Sequence, residues 1–150
     1  MAGFHKHRTL LPLESARVIA RETLKAARDR DLKPMTVVVV DGGGHPVVVE
    51  REDGAGTVRF EVARGKASAA LGTGVASGAL GAANAERPAF LAAVSGVADN
   101  GAVPVAGGVL VLDGEGLVIG AVGVSGDASD ADEAVAVAGI EAAGLAASAS

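Results

Sequence analysis

Leu13, Ala16, Ala20, Leu24 and Ala27 recur every three or four positions, while Glu14, Arg17, Arg21 and Lys25 occupy the remaining surface. That spacing predicts a helix over residues 12–30 with one apolar face. Pro12 suits its first turn, Glu14 its positive end, and Arg28 and Arg30 its negative end. Pro34 closes the connection that follows, and the period then changes. MTVVVVD at 35–41 and HPVVVE at 45–50 are β-branched runs joined by Gly42, Gly43 and Gly44. They predict a hairpin, with Pro46 at a strand start where a missing N–H matters least.

After Arg51 the stretch EDGAGT reads as a loop, with Thr57 placed to cap a helix over 58–71. Gly65 inside that helix costs about 1 kcal/mol against Ala, which suggests close packing. Residues 72–86 are rich in Gly, Ala and Ser and give no decision, and a short helix is expected over Pro88–Ala98. Two more strands, 103–113 and 117–125, flank Gly114, Glu115 and Gly116 as a second hairpin. A last helix is expected from Asp127 to Ala147, with Asp130, Asp132 and Glu133 in its first turns. The order α–ββ–α–α–ββ–α defines one α+β domain spanning 1–150, with 1–10 flexible. Hairpins alternating with helices predict a mainly antiparallel sheet covered by helices on one or both faces. The paired hairpins hint at an internal duplication.

Composition narrows the function. Apolar residues make up 49% of the chain, but they are mostly Ala and Val; there are three Phe, no Trp and no Tyr, and Gly adds 22 more small residues. At about 25 cal/mol per Å² such side chains stabilise less each than Leu or Phe, so the composition leans towards self-association. A net charge of −5, with no basic stripe or aromatic platform, argues against nucleic acid. With no cysteine there is no disulfide, thiolate metal site or thiol nucleophile. No apolar run approaches the ~20 residues of a membrane span. The N-terminus lacks a secretory apolar stretch, so a cytoplasmic location is expected, although a signal already removed would leave no trace.

Several constellations could carry chemistry. Gly43 and Gly44, in VVDGGGHPV, can bring bare backbone against a ligand or adopt positive φ; the plainer reading is a tight turn. Gly123, Ser125 and Gly126 lead from a strand into a helix and could offer N–H groups and a hydroxyl to an anion, or simply form a capped helix start. Arg51 and Lys66 could meet ligand acidic groups, against the alternative of a solvated charged face. His45 beyond the glycine turn is a candidate acid–base group or haem-iron ligand, and His5 and His7 are candidate ligands on the N-terminal arm. Asp41 and Asp53 are further acid–base candidates. No H-E-x-x-H or Gly-x-Ser-x-Gly pattern is present.

Taken together, VVVVDGGGHPVVVEREDGA (37–55), ARGKASAA (63–70), PVAGGVLVLDGEGLVIGAVGVSG (104–126) and DADEAVAVAG (130–139) resemble the GlcG/HbpS family of haem-degrading or haem-binding domains, which includes the C-terminal domain of PduO-type proteins. The resemblance implies a three-layer α/β/α sandwich that forms dimers and can build octamers. It also implies binding of haem, a corrinoid or another small ligand. Where the family often has KA-x-T-A, this chain has Lys66-Ala67-Ser68-Ala69-Ala70, which removes a threonine-type haem contact.

Three functions follow. The first is a homo-oligomer holding haem or another tetrapyrrole at a subunit interface, with Lys66 or Arg51 near its acidic groups. The second is an enzyme moving protons on a small carbonyl or carboxylate substrate, with Asp41, Asp53 or His45 as acid or base and the Ser125–Gly126 N–H groups steadying negative charge. The third is a subunit without a ligand.

Overall fold

The computed structural model describes Met1 through Ser150. Its elements are α1 (Leu13–Asp29), β1 (Thr36–Asp41), β2 (Pro46–Arg51), α2 (Arg59–Thr73), α3 (Ser77–Ala83), α4 (Pro88–Val97), β3 (Gly108–Leu112), β4 (Val118–Ser125), α5 (Ser129–Ala142) and β5 (Ala146–Ser148). One sheet has the order β2-β1-β4-β3-β5, and every neighbouring pair is antiparallel.

The unbroken valines of β1 have a direct cause. The strand lies inside the sheet and is covered on both faces, so its alternate side chains enter two different cores. Val37 and Val39 point with Val122 and Val124 towards α1 and α5. Val38 and Val40 point with Ala121 and Leu110 towards Ala63, Ala67 and Ala70 of α2. The result is the three-layer α/β/α arrangement, with α1 and α5 on one face and α2 on the other. Strand β2, at the sheet edge, is only partly covered.

Small residues set the spacing of these layers. A Cβ on Gly123 of β4 would run into the Ala63 carbonyl of α2, and one on Gly139 of α5 would strike the Thr23 hydroxyl of α1. Helix lies directly on strand and on helix at these points, so that small side chains can fill the space between the layers.

Three boundaries differ from the sequence expectation. The last helix stops at Ala142 rather than Ala147, because Gly144 turns with φ of 75° and the chain then adds β5 beside β3. Residues 103–107 do not join the sheet, and β3 begins at Gly108. Thr57 makes no capping hydrogen bond, and α2 starts after Val58. The undecided stretch 72–86 contains the short helix α3.

Candidate functional site

The two hairpin turns are built alike. In the first, Asp41 Oδ1 accepts the Gly43 and His45 N–H groups at 2.9 and 3.0 Å. In the second, Asp113 Oδ1 accepts those of Glu115 and Leu117, both at 2.9 Å. Backbone bonds repeat as well: Gly44 N–H donates to the Asp41 carbonyl and Gly116 N–H to that of Asp113, at 3.0 and 3.1 Å. Gly44 and Gly116 take φ of 82° and 79°, where a side chain is strained, so this glycine belongs to the turn itself. The shared D-G-x-G at 41–44 and 113–116 was visible in the sequence. Because β1 and β3 both run antiparallel to β4, the two turns project from the same end of the sheet.

The third position separates them. The second turn carries Glu115 where the first has Gly43. Gly43 does not have positive φ, and a Cβ there would come no nearer than 3.3 Å to Asp41 Oδ1. The turn geometry therefore accommodates a side chain at this position, yet the first turn has none.

Clefts flank that bare backbone on both sides. One, of about 450 Å³, is lined by His7, Arg8, Leu10, Leu13, Val47 and Asp41–Gly43, among others. The other, of about 440 Å³, is lined by Gly42–Gly44 with Ser68, Leu71, Val97, Asp99 and Asn100. Gly42 and Gly43 belong to both walls. The first cleft carries the cationic side chain Arg8 and an imidazole together with Asp41; the second carries the carboxylate of Asp99 and no cation. Of its polar lining, Asp99 and Asn100 had no motif to announce them.

The remaining candidates lie elsewhere. His45 is exposed beside the turn and lines neither cleft. Arg51 and Asp53 are exposed at the far end of the sheet, where Arg51 pairs with Thr36 and Thr36 with Ser125. With a rise of roughly 3.4 Å per residue, Thr36 and Asp41 stand about 17 Å apart along β1. An acid–base pair of Asp41 or His45 working with the Ser125–Gly126 N–H groups is thus not formed within one chain.

Ser125 is buried and its hydroxyl oxygen accepts a hydrogen bond from Arg59 at 3.3 Å. Gly126 is bare because Met35 packs against it, just as Gly123 is bare because of α2. These two glycines answer to the chain's own packing. Lys66 is 3% exposed and is held by Asp132 and the Val124 carbonyl, so it opens onto neither cleft. Near Ser125, Asp127 sits below its ordinary value of 3.8 because its carboxylate accepts the Lys33 and Ala128 N–H groups. No group of three or more His, Cys, Asp or Glu side chains is arranged to hold a metal ion. No helix is long and apolar enough to cross a membrane.

A three-layer α+β domain with paired Asp-Gly turns at one sheet end is the class of protein that the geometry defines. The family model described as haem degrading protein HbpS-like matches residues 11–141, and the chain belongs to that family. The crystal structure of HbpS is similar at 30% identity, covering 94% of this chain and 95% of that one, with a TM-score of 0.77. A crystal structure of a PduOC–haem complex is 25% identical over 90% of this chain and 96% of that one, with a TM-score of 0.79. Klebsiella pneumoniae protein ORFY shares the fold at 23% identity and a TM-score of 0.81, covering 96% of this chain and 97% of that one. A comparison with curated protein sequences finds no significant match.

Proposed function

We propose that this protein binds haem, or a tetrapyrrole of the same shape, in the first cleft, with the flat ligand lying against the bare Gly42–Gly43 backbone. The observation that carries the reading is the difference between the two hairpins. The same turn holds Glu115 in one place and no side chain in the other, and the bare copy is the one bordered by clefts. A volume of about 450 Å³ lies within the roughly 300–1,000 Å³ of small-molecule sites.

The donor set suits haem. His7 supplies an imidazole for iron, Arg8 a guanidinium for a propionate, and Leu10, Leu13 and Val47 an apolar wall. Bound haem would supply a redox-active iron, while the chain's own groups orient the ring and exclude water from one side of it. The family membership and the haem complex of the PduOC relative point the same way. His45 is the weaker ligand candidate, since it lies outside both clefts. Self-association belongs to the same reading, because copies of the chain would close clefts that are open on one side.

Haem titration followed at the Soret band tests the proposal. Wild-type protein is expected to give a saturable band that His7→Ala shifts or weakens and His45→Ala leaves unchanged. Absence of any band at micromolar haem would end the reading.

A further inference from the structure

The second cleft has no part in the haem reading, and its lining is of a different chemical kind. On one side Ser68, Leu71 and Gly72 stand at i, i+3 and i+4 along α2, so they share one stripe of that helix. Facing them is the turn after α4, with Val97, Asp99 and Asn100. That turn is pinned in place: Gly101 N–H donates to the Ala98 carbonyl at 3.0 Å, and Ala102 N–H to the Ser95 hydroxyl at 3.2 Å. Gly101 takes φ of 68°, which lets the chain reverse there and leaves Asp99 and Asn100 against the cleft.

The polar groups of this lining are uncommitted. The side chains of Ser68, Asp99 and Asn100 make no hydrogen bond or ion pair within the chain. Asp41, the acid of the first cleft, differs, because its Oδ1 already accepts two N–H groups of its own turn. No Lys, Arg or His lines the second cleft. Lys66 is sealed by Asp132, and Arg64, one turn before Ser68 on α2, stands outside the lining.

Gly72 adds an independent observation. Glycine inside a helix is destabilising relative to Ala, yet a Cβ on Gly72 would meet nothing within 4 Å, and its φ is not positive. Neither packing nor backbone geometry requires it, and it lines the same cleft as the bare Gly43.

We propose that the second cleft binds a small primary ammonium compound with a short hydrocarbon chain. A primary ammonium has N–H donors and no acceptor. The Asp99 carboxylate, the Asn100 side-chain carbonyl and the Ser68 hydroxyl oxygen are the acceptors that would take them, while Leu71 and Val97 offer apolar surface to the chain. A ligand carboxylate would meet Asp99 with no cation to offset it. No aromatic ring lines the cleft, so a quaternary ammonium finds no cage. The two clefts share Gly42 and Gly43 but no charged side chain, so this site stands whether or not haem occupies the first.

Calorimetric titration of the full chain with hexylammonium tests it, with hexan-1-ol, hexanoate and tetramethylammonium as comparison probes. Hexylammonium is expected to bind saturably at one site, and the other three about tenfold more weakly or not at all. Asp99→Asn should weaken hexylammonium about tenfold, to the level of the alcohol. Gly72→Leu, which has open space on the protein side and favours helix, should block the cleft while circular dichroism and melting stay as in wild type. Equal binding of amine and alcohol, a preference for hexanoate, no saturable amine binding, or unchanged affinity in Asp99→Asn would each overturn the proposal. Both variants should take up haem as wild type does, and His7→Ala should leave hexylammonium binding intact, so failure of either site is seen separately from the other.

Discussion

Lys66 Nζ lies 2.9 Å from Asp132 Oδ2, and the two side chains are 3% and 1% exposed. Lys66 belongs to α2 and Asp132 to α5, so the pair joins helices that cover opposite faces of the sheet. It does so at the end of β4, where Nζ also donates to the Val124 carbonyl at 2.9 Å. Asp132 Oδ1 accepts the Asp127 N–H at 2.9 Å, which satisfies its second oxygen. A sealed pair of this kind is costly to break from one side only.

Lys66→Met should therefore destabilise the fold by about 3–5 kcal/mol, because it leaves the Asp132 charge buried and uncompensated. Replacing both partners, as in Lys66→Met with Asp132→Leu, should recover most of that loss. Urea unfolding measures both. A single variant within about 1 kcal/mol of wild type would show that the pair is not the clamp described.

Gly123 and Gly43 should respond differently to the same change. Gly123→Ala drives a methyl group into the Ala63 carbonyl and should cost about 1–3 kcal/mol or more. Gly43→Ala meets no comparable obstacle and should stay within about 0.5 kcal/mol. Thermal unfolding of the two variants separates packing glycines from the one that is bare for another reason.

Asp127 ties the α1–β1 connection to the start of α5 through Lys33 and Ala128. Its folded value lies below 3.8, so its contribution is fully present above the unfolded value and is lost as pH falls through the folded one. Asp127→Asn should accordingly be less stable than wild type at neutral pH. The gap should narrow as pH falls from 3.8 through the lower folded value, beneath which the wild-type carboxylate is protonated in both states. Chemical denaturation at a series of pH values checks this, and a gap that widens in acid would contradict it.

Much of this fold is legible in the chain. The helical spacing from Leu13 to Ala27, the valine runs around Gly42–Gly44 and the second Gly-rich turn all report local geometry, which local pattern can carry. What distinguishes Lys66 from a ligand-binding lysine is a carboxylate 66 residues further on, and no spacing rule reaches that far. Gly123 and Gly126 look like ligand glycines in sequence because a glycine cleared for α2 or Met35 is written the same way as one cleared for a guest. His7 sits in an arm with no periodic signal, so only the folded chain brings it to the Asp41 turn. The end of the last helix was missed for a similar reason: Ala-rich sequence continues past Gly144, and pairing with β3 decides against helix there.

The most direct measurement is a haem titration comparing wild type with Gly43→Glu and Glu115→Gly, each followed at the Soret band and by thermal unfolding. Gly43→Glu borrows the residue that the second turn already carries, so its melting should stay close to wild type. Its haem affinity should fall by about tenfold or more, equivalent to about 1.4 kcal/mol, while Glu115→Gly should bind as wild type does. A folded Gly43→Glu protein that takes up haem like wild type would contradict the account.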